Sequence, residues 1–336
     1  MFEPIDKWHT PSNPDFIKHF PQPRMFSTRG SFIWWWWMFF FKEDGVRKQI
    51  IAYWTTKNYP DVTVNGVNWG PPADLSGTPV EFSYNGMSTS WIWDGQRVQE
   101  TPPRVLRFTT YNDEGKMDIK SDDIRVKADM DSFYFRFCRD PSRFDFRVEE
   151  IAPNPPPVGY KRTLVTPRMG FDALKIYHAR WRGRLSTNRK ERCVKGSLYM
   201  QHITLNTPAI PWLWGVYHKD DGSYLTYFSS FVNFLMFRRT AEAEPGLDKR
   251  FIFLNKNLNY TPVGENTKRF KHVRYRVTRQ DNGLPIFESW GTLGAEKLRI
   301  KVRALAKCTY RFERKKLWHN MFFYNEFPSE LVELEY

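Results

Sequence analysis

The stretch that most constrains this chain is residues 32–41, Phe-Ile-Trp-Trp-Trp-Trp-Met-Phe-Phe-Phe, an unbroken run of bulky side chains that stops at Lys42-Glu43-Asp44-Gly45. A membrane-spanning helix needs about 20 apolar residues, so this run is too short to be one. Aromatic enrichment, short length and the turn signal after it predict a strand buried on both faces. At about 3.3 Å per residue such a strand reaches roughly 33 Å, the height of a small barrel.

Short strand-like runs then alternate with turn signals. Ile50–Thr55 returns after the Glu43-Asp44-Gly45 turn, and residues 58–79 read as a loop. Val80–Tyr84 leads into Asn85-Gly86, a pair that predicts a hairpin turn. Trp91-Ile92-Trp93 leads into Asp94-Gly95, and Val105–Phe108 leads towards Asp113-Glu114-Gly115. Ile124–Ala128 alternates apolar and polar residues, and Phe133–Phe137 is a second aromatic run. Pro-Asn-Pro-Pro-Pro over 153–157 predicts a stiff connector. This spacing predicts an all-β barrel or sandwich.

The second half of the chain repeats the first. Trp212 to Gly222 aligns with Trp35 to Gly45, so that Trp212 and Trp214 fall on Trp35 and Trp37. Tyr224–Phe228 then falls on Ile50–Trp54, Leu298–Val302 on Ile124–Ala128, and Tyr310-Arg311-Phe312 on Phe135-Arg136-Phe137. Matches in one order at nearly one offset predict a duplicated β domain of ordinary size. The expected layout is an N-terminal arm over 1–29, one antiparallel β-barrel domain over 30–187 and a second over 188–336. Alternate residues of a strand share a side. Trp35 and Trp37, which recur, are therefore expected inside each domain. Trp34 and Trp36 are expected on the other face, covered by the second domain and available to a ligand.

Composition narrows the function classes. Lys and Arg number 51 against 37 Asp and Glu, a formal charge of +14. That surplus fits a solvated basic surface or an anionic partner such as a membrane surface. Cations and acids are interspersed, with no block of five like charges, which disfavours nucleic acid. Cys138, Cys193 and Cys308 lie far apart and form no CxxC pair or disulfide framework. Met-Phe-Glu-Pro-Ile-Asp-Lys lacks the features of a signal peptide, so a reduced cytoplasmic location is expected and the sequon at Asn259 is without consequence. There is no HExxH, GxSxG, P-loop or GxGxxG motif and no metal-ligand spacing, so neither a metal nor a nucleotide cofactor is expected.

Residues 172–231 carry a family resemblance. Trp181-Arg182-Gly183-Arg184-Leu185 is followed by Val194-Lys195-Gly196-Ser197-Leu198-Tyr199-Met200-Gln201-His202 and by Pro211-Trp212-Leu213-Trp214-Gly215. This pattern resembles the two-domain lipocalin-like superfamily of carotenoid 1,2-hydratases, with its tocopherol-cyclase-like and Diels–Alderase relatives. Trp34 to Trp37 is similar to the family's domain-one tryptophan cluster, and Glu330 to Tyr336 to its C-terminal strand. The resemblance implies two lipocalin-like barrels, an apolar ligand near the domain junction and cofactor-free chemistry. It also implies a role for the junction motif at Tyr199-Met200-Gln201-His202. The hydratases carry an Asp before the His, whereas this sequence has Gln201, so their protonating carboxylic acid is absent.

Three groups of residues are candidates for chemistry. His202 reads as a general acid/base, since its unperturbed pKa lies near neutrality, or as a hydrogen-bonded strand histidine; Tyr199 and Gln201 would assist it. Trp34, Trp36, Tyr53, Trp91 and Trp214 read as aromatic walls whose π faces attract a developing cation, or as core. Asp94 reads as an acid if desolvated by its aromatic neighbours, or as a turn residue. The combined expectation is a protein that binds an elongated apolar molecule, such as an isoprenoid or polyene, and acts as a cofactor-free hydratase, cyclase or pericyclase. A non-catalytic lipid or pigment carrier is the first alternative. An aromatic-rich binder of nucleic acid or polysaccharide, with Trp34 and Trp36 exposed, is the second.

Overall fold

Runs of β-branched and aromatic residues with period two leave the chain little choice but strands. The computed structural model describes residues 7–8, 20–21, 30–59, 62–70, 72–113, 115–129, 133–140, 142–150, 158–166, 169–187, 190–206, 212–233, 251–314 and 321–336, and among these there is no helix. The chain divides into two units, Met1–Thr207 and Pro208–Tyr336. The Pro-rich stretch at 153–157 lies outside the described residues.

Unit 1 contains β1 (Lys7–Trp8), β2 (Phe32–Glu43), β3 (Val46–Lys57), β4 (Val62–Val64), β5 (Val67–Trp69), β6 (Ser76–Gly77), β7 (Glu81–Trp93) and β8 (Val98–Asp113). It continues with β9 (Lys116–Lys120), β10 (Ile124–Ala128), β11 (Phe133–Arg139), β12 (Ser142–Glu150), β13 (Val158–Thr166), β14 (Met169–Thr187) and β15 (Lys190–Asn206). Strands β2, β3, β7, β8, β9, β10, β11, β12, β14 and β15 pair in that order, and β15 returns to β2 from Phe32↔Leu205 to Phe41↔Gly196. The result is a closed antiparallel barrel, which removes exposed edges.

Alternate residues fill the barrel with rings. Trp37 of β2 meets Phe135 of β11 at 4.7 Å, Phe39 meets Phe146 of β12 at 4.9 Å, and Phe146 meets Trp181 of β14 at 4.2 Å. Strand β2 is a neighbour of neither β11 nor β12, so the Trp37–Phe135 and Phe39–Phe146 contacts cross the interior, which is a packed core. Phe20, from the N-terminal arm, is fully buried against Trp37 and Phe133, and its carbonyl accepts a hydrogen bond from Trp35 Nε1 at 2.8 Å. Elsewhere in the unit, Asp123 is buried and accepts from Ser88 Oγ at 2.7 Å. It also pairs with Arg139 at 2.9 Å and Arg104 at 3.3 Å.

Three local expectations change. Asn85-Gly86 is not a turn but the middle of β7. A Cβ on Gly86 would stand 2.8 Å from the Thr55 carbonyl oxygen and 2.9 Å from the Phe108 ring, so this glycine serves close approach. A two-residue turn forms instead at another Asn-Gly pair, Asn65-Gly66, with φ of 49° and 81°, inside the segment expected to be loop. Strand β15 belongs to unit 1, because it is the wall that closes the barrel. The expected boundary at 187/188 falls in the β14–β15 connection, and the units part at Thr207/Pro208.

Unit 2 contains β16 (Trp212–His218), β17 (Tyr224–Asn233), β18 (Phe251–Thr261), β19 (Lys268–Arg279), β20 (Pro285–Leu293), β21 (Glu296–Ala304), β22 (Cys308–Arg314), β23 (Met321–Glu326) and β24 (Ser329–Glu335). Strands β16 to β21 and β24 form a seven-stranded sheet curled into half a barrel. Its core holds Leu225, Leu258, Tyr260, Phe270, Leu298 and Ile300.

The duplication matches inward faces at β10 and β21, where Ile124, Val126 and Ala128 correspond to Leu298, Ile300 and Val302, all buried. It does not do so at β16. Tyr217 pairs with Leu225 and packs on the core cluster, whereas Trp214 pairs with Phe228 on the opposite face and is half-buried. The recurring tryptophans Trp212 and Trp214 are therefore not interior residues of unit 2. The hairpins explain the difference. Glu43↔Val46 encloses a two-residue turn, and His218↔Tyr224 encloses five residues, so the aligned turns are not equivalent. A displacement of one residue moves every side chain to the other face.

Candidate functional site

Strands β15, β2, β3 and β7 are neighbours, and their register sets two rows of side chains on the face away from the barrel interior. One row is Tyr199, Met38, Ile51 and Trp91; the next is Gln201, Trp36, Tyr53 and Thr89. With strands about 4.8 Å apart, each row is roughly 14 Å long. All eight residues are buried, with Trp36 4% and Tyr53 3% exposed. Trp36 and Tyr53 stack at 4.5 Å with their planes 20° apart.

Polar atoms sit at the two ends of this apolar surface. Tyr199 Oη donates a hydrogen bond to Gln201 Oε1 at 3.0 Å. That bond orients the Gln201 amide and leaves its NH₂ as a donor. Lys175, opposite Gln201 on β14, flanks the pair and lies over the Tyr177 ring at 5.9 Å. At the far end, Trp91 is fully buried and its Nε1–H has no acceptor among the described residues. An unpaired buried donor is costly, so a polar atom of a ligand would find a prepared partner there. Trp34 lies on the same face one row further, half-buried against Phe32 at 5.6 Å.

His202 does not join Tyr199 and Gln201. It follows Gln201 on β15 and so points to the other side of the sheet, into the barrel. Its ring is parallel to Trp35 at 4.7 Å with an interplanar angle of 2°. Trp35 in turn stacks on Trp54 at 5.1 Å and Tyr84 at 5.9 Å, and Trp54 Nε1 donates to Tyr84 Oη at 3.1 Å. Burial pushes the Tyr84 phenol well above its ordinary pKa, so this cluster stays neutral around the histidine. The grouping of His202 with Tyr199 and Gln201 as one polar contact is thus corrected by strand alternation.

Asp94 is corrected as well. Its carboxylate accepts from the backbone N–H of Gln96 and of Arg97, each at 2.9 Å, and from Gln99 Nε2 at 2.8 Å, capping the β7–β8 turn. Partial burial pushes its pKa up, but these hydrogen bonds and the Arg97 charge outweigh it and hold the group below its ordinary value. An ionised turn carboxylate is no proton donor near neutrality. Trp214 stands in unit 2 on the face opposite that unit's core. Met38, Ile51 and Thr89 complete the candidate face without having been singled out; the unbroken apolar run of β2 is the only signal for Met38, and Ile51 and Thr89 join it through the register of β3 and β7. Among the described residues no three His, Cys, Asp or Glu side chains converge to hold a metal.

No family model matches this sequence, and no curated protein matches it. Solved structures do resemble it. A crystal structure of a candidate AttH from Nitrosomonas europaea superposes with a TM-score of 0.54 at 11% identity, covering 90% of this chain and 91% of that one. Kievitone hydratase from Nectria haematococca superposes with a TM-score of 0.44 at 9% identity, covering 93% and 88%. The first likeness shows a shared fold over nearly the whole chain.

Proposed function

We propose that this protein binds an elongated apolar small molecule, of isoprenoid or polyene type, against the outer face of β15, β2, β3 and β7, and acts on it without a cofactor. One observation carries the reading. The Tyr199–Gln201 pair and the unpaired Trp91 N–H bracket a buried row of apolar and aromatic side chains roughly 14 Å long. Such a surface suits a long apolar chain with a polar group at each end. The stacked Trp36 and Tyr53 would present π faces to charge developing along that chain. Neither Tyr199 nor Gln201 is a strong acid, so the row favours cyclisation through a fixed substrate conformation over hydration by a carboxylic acid. The same lack of an acid supports the second reading, a carrier that returns its ligand unchanged. Burial of Trp36 weighs against the nucleic-acid or polysaccharide binder, which needs that ring exposed.

The test is to incubate the protein with extracted cellular lipids, re-isolate it, and identify by mass spectrometry what stays bound and what is altered. A retained apolar molecule and a new isomer or cyclised product support the enzyme. Retention with no alteration leaves the carrier. Recovery of nothing apolar overturns both.

A further inference from the structure

Away from the candidate face, the outer surface of β10, β11, β12, β14 and β15 carries a band of cations. Side chains directly opposite one another on adjacent strands share a face. One cross-strand row is Lys127, Tyr134, Arg147, Arg182 and Lys195. The row beside it is Arg125, Arg136, Asp145, Arg184 and Cys193. Among these ten positions only Asp145 is acidic, and it is engaged by the Tyr134 hydroxyl and by Arg184 at 4.0 Å; beside the rows, Asp118 of β9 pairs with Arg125 at 2.8 Å and Lys127 at 3.7 Å, and Glu191 pairs with Arg184 at 3.8 Å. Arg136, Arg147 and Lys195 are exposed and form no ion pair with a described residue.

Arg147 and Lys195 flank Arg182 on consecutive strands, and together with Arg136 they leave exposed positive charge that an arriving anion would neutralise. Five strands about 4.8 Å apart give the band a width of roughly 19 Å, enough for several phosphate groups at once. Its single aromatic, Tyr134, is half-buried and tied to Asp145, so the band offers no platform on which bases could stack.

We propose that this band docks the protein on an anionic lipid surface. Charge complementarity carries the docking; the choice of lipid over nucleic acid also rests on the apolar-ligand reading above, since such a ligand dissolves in membranes. Cations at a bilayer surface each strengthen binding on the order of fivefold, an effect that fades within a Debye length and with salt.

The experiment is co-sedimentation of the full chain with vesicles of phosphatidylcholine, with and without phosphatidylserine, and no added ligand. Binding only to the phosphatidylserine vesicles, abolished by salt, is the expected result. The triple variant Arg136→Gln, Arg147→Gln, Lys195→Gln should bind on the order of a hundredfold more weakly. Its melting temperature should stay close to that of the wild type, because none of the three side chains forms an ion pair with a described residue; if the triple variant misfolds, Arg147→Gln and Lys195→Gln are measured singly, each expected to weaken binding on the order of fivefold. Equal binding to both vesicle types, no binding, wild-type binding by the variants, or tighter binding to single-stranded DNA than to vesicles would each overturn the proposal. Because no ligand is present, such a failure leaves the small-molecule reading standing.

Discussion

Gln201 and His202 are consecutive on one strand and serve opposite sides of it: Gln201 accepts the Tyr199 hydroxyl at 3.0 Å outside the barrel, and His202 lies flat on Trp35 at 4.7 Å within it. A single strand thus supplies the polar corner of the candidate face with one residue and part of the core with the next. The two residues should fail in different ways when changed.

His202→Ala should act on stability. It removes a fully packed ring and leaves a cavity beside Trp35 and Phe20, a loss of about 2–4 kcal/mol by analogy with other large-to-small core changes. Urea denaturation should show this loss, while the folded fraction keeps its ligand affinity. A folded His202→Ala protein that no longer bound ligand would return the histidine to the site.

Tyr199→Phe should act on binding. It deletes the hydroxyl that orients Gln201 and keeps the ring, so the loss is that of one hydrogen bond, about 1 kcal/mol or roughly fivefold in affinity. Calorimetric titration with the retained lipid reads it directly. Unchanged affinity would remove the Tyr199–Gln201 pair from the recognition of the ligand.

Arg139→Met should be among the most damaging changes to unit 1. Asp123 would keep Ser88 and the more exposed Arg104 but lose its better-shielded partner at 2.9 Å. Removing one member of a buried ion pair costs about 3–5 kcal/mol. A melting temperature close to that of the wild type would show that Arg104 suffices.

Acid should loosen the β16–β17 turn. Burial raises the Asp221 pKa, but hydrogen bonds from Ser223 and Lys219, with the charge of Lys219, outweigh it and bring it from 3.8 down to about 2. The folded value lies below the unfolded one, so this contribution is present above pH 3.8 and is lost as pH falls towards about 2. The side chain is half exposed, so solvent screening keeps the effect small. The Asn variant at Asp221 should flatten the stability profile of the turn in that window, read by NMR shifts of Ser223.

Much of the fold is legible in local sequence because its signals have period two. Ile124–Ala128 and Phe133–Phe137 alternate as barrel walls must, and β10 and β11 occupy those positions. Asn85-Gly86 misleads because the reason for its glycine is the Phe108 ring on the neighbouring strand β8 and the Thr55 carbonyl on β3, which no local pattern contains. The candidate face is half legible. That Tyr199 and Gln201 share a side follows from alternation alone. That Trp36, Tyr53 and Trp91 share it too requires the register of four strands, which is a non-local property.

The seam of the barrel joins Phe32 to Leu205, and Phe20 packs against His202 beside it. Contacts so distant in sequence are slow to form. At a synthesis rate of about 5–20 residues per second, the aromatic strand β2 leaves the ribosome roughly 10–30 s before its partner β15 exists. For that interval its tryptophans have nothing native on one side. This protein's most vulnerable moment therefore comes before it is complete, and its yield in a cell should follow chaperone supply more closely than the stability of the finished barrel.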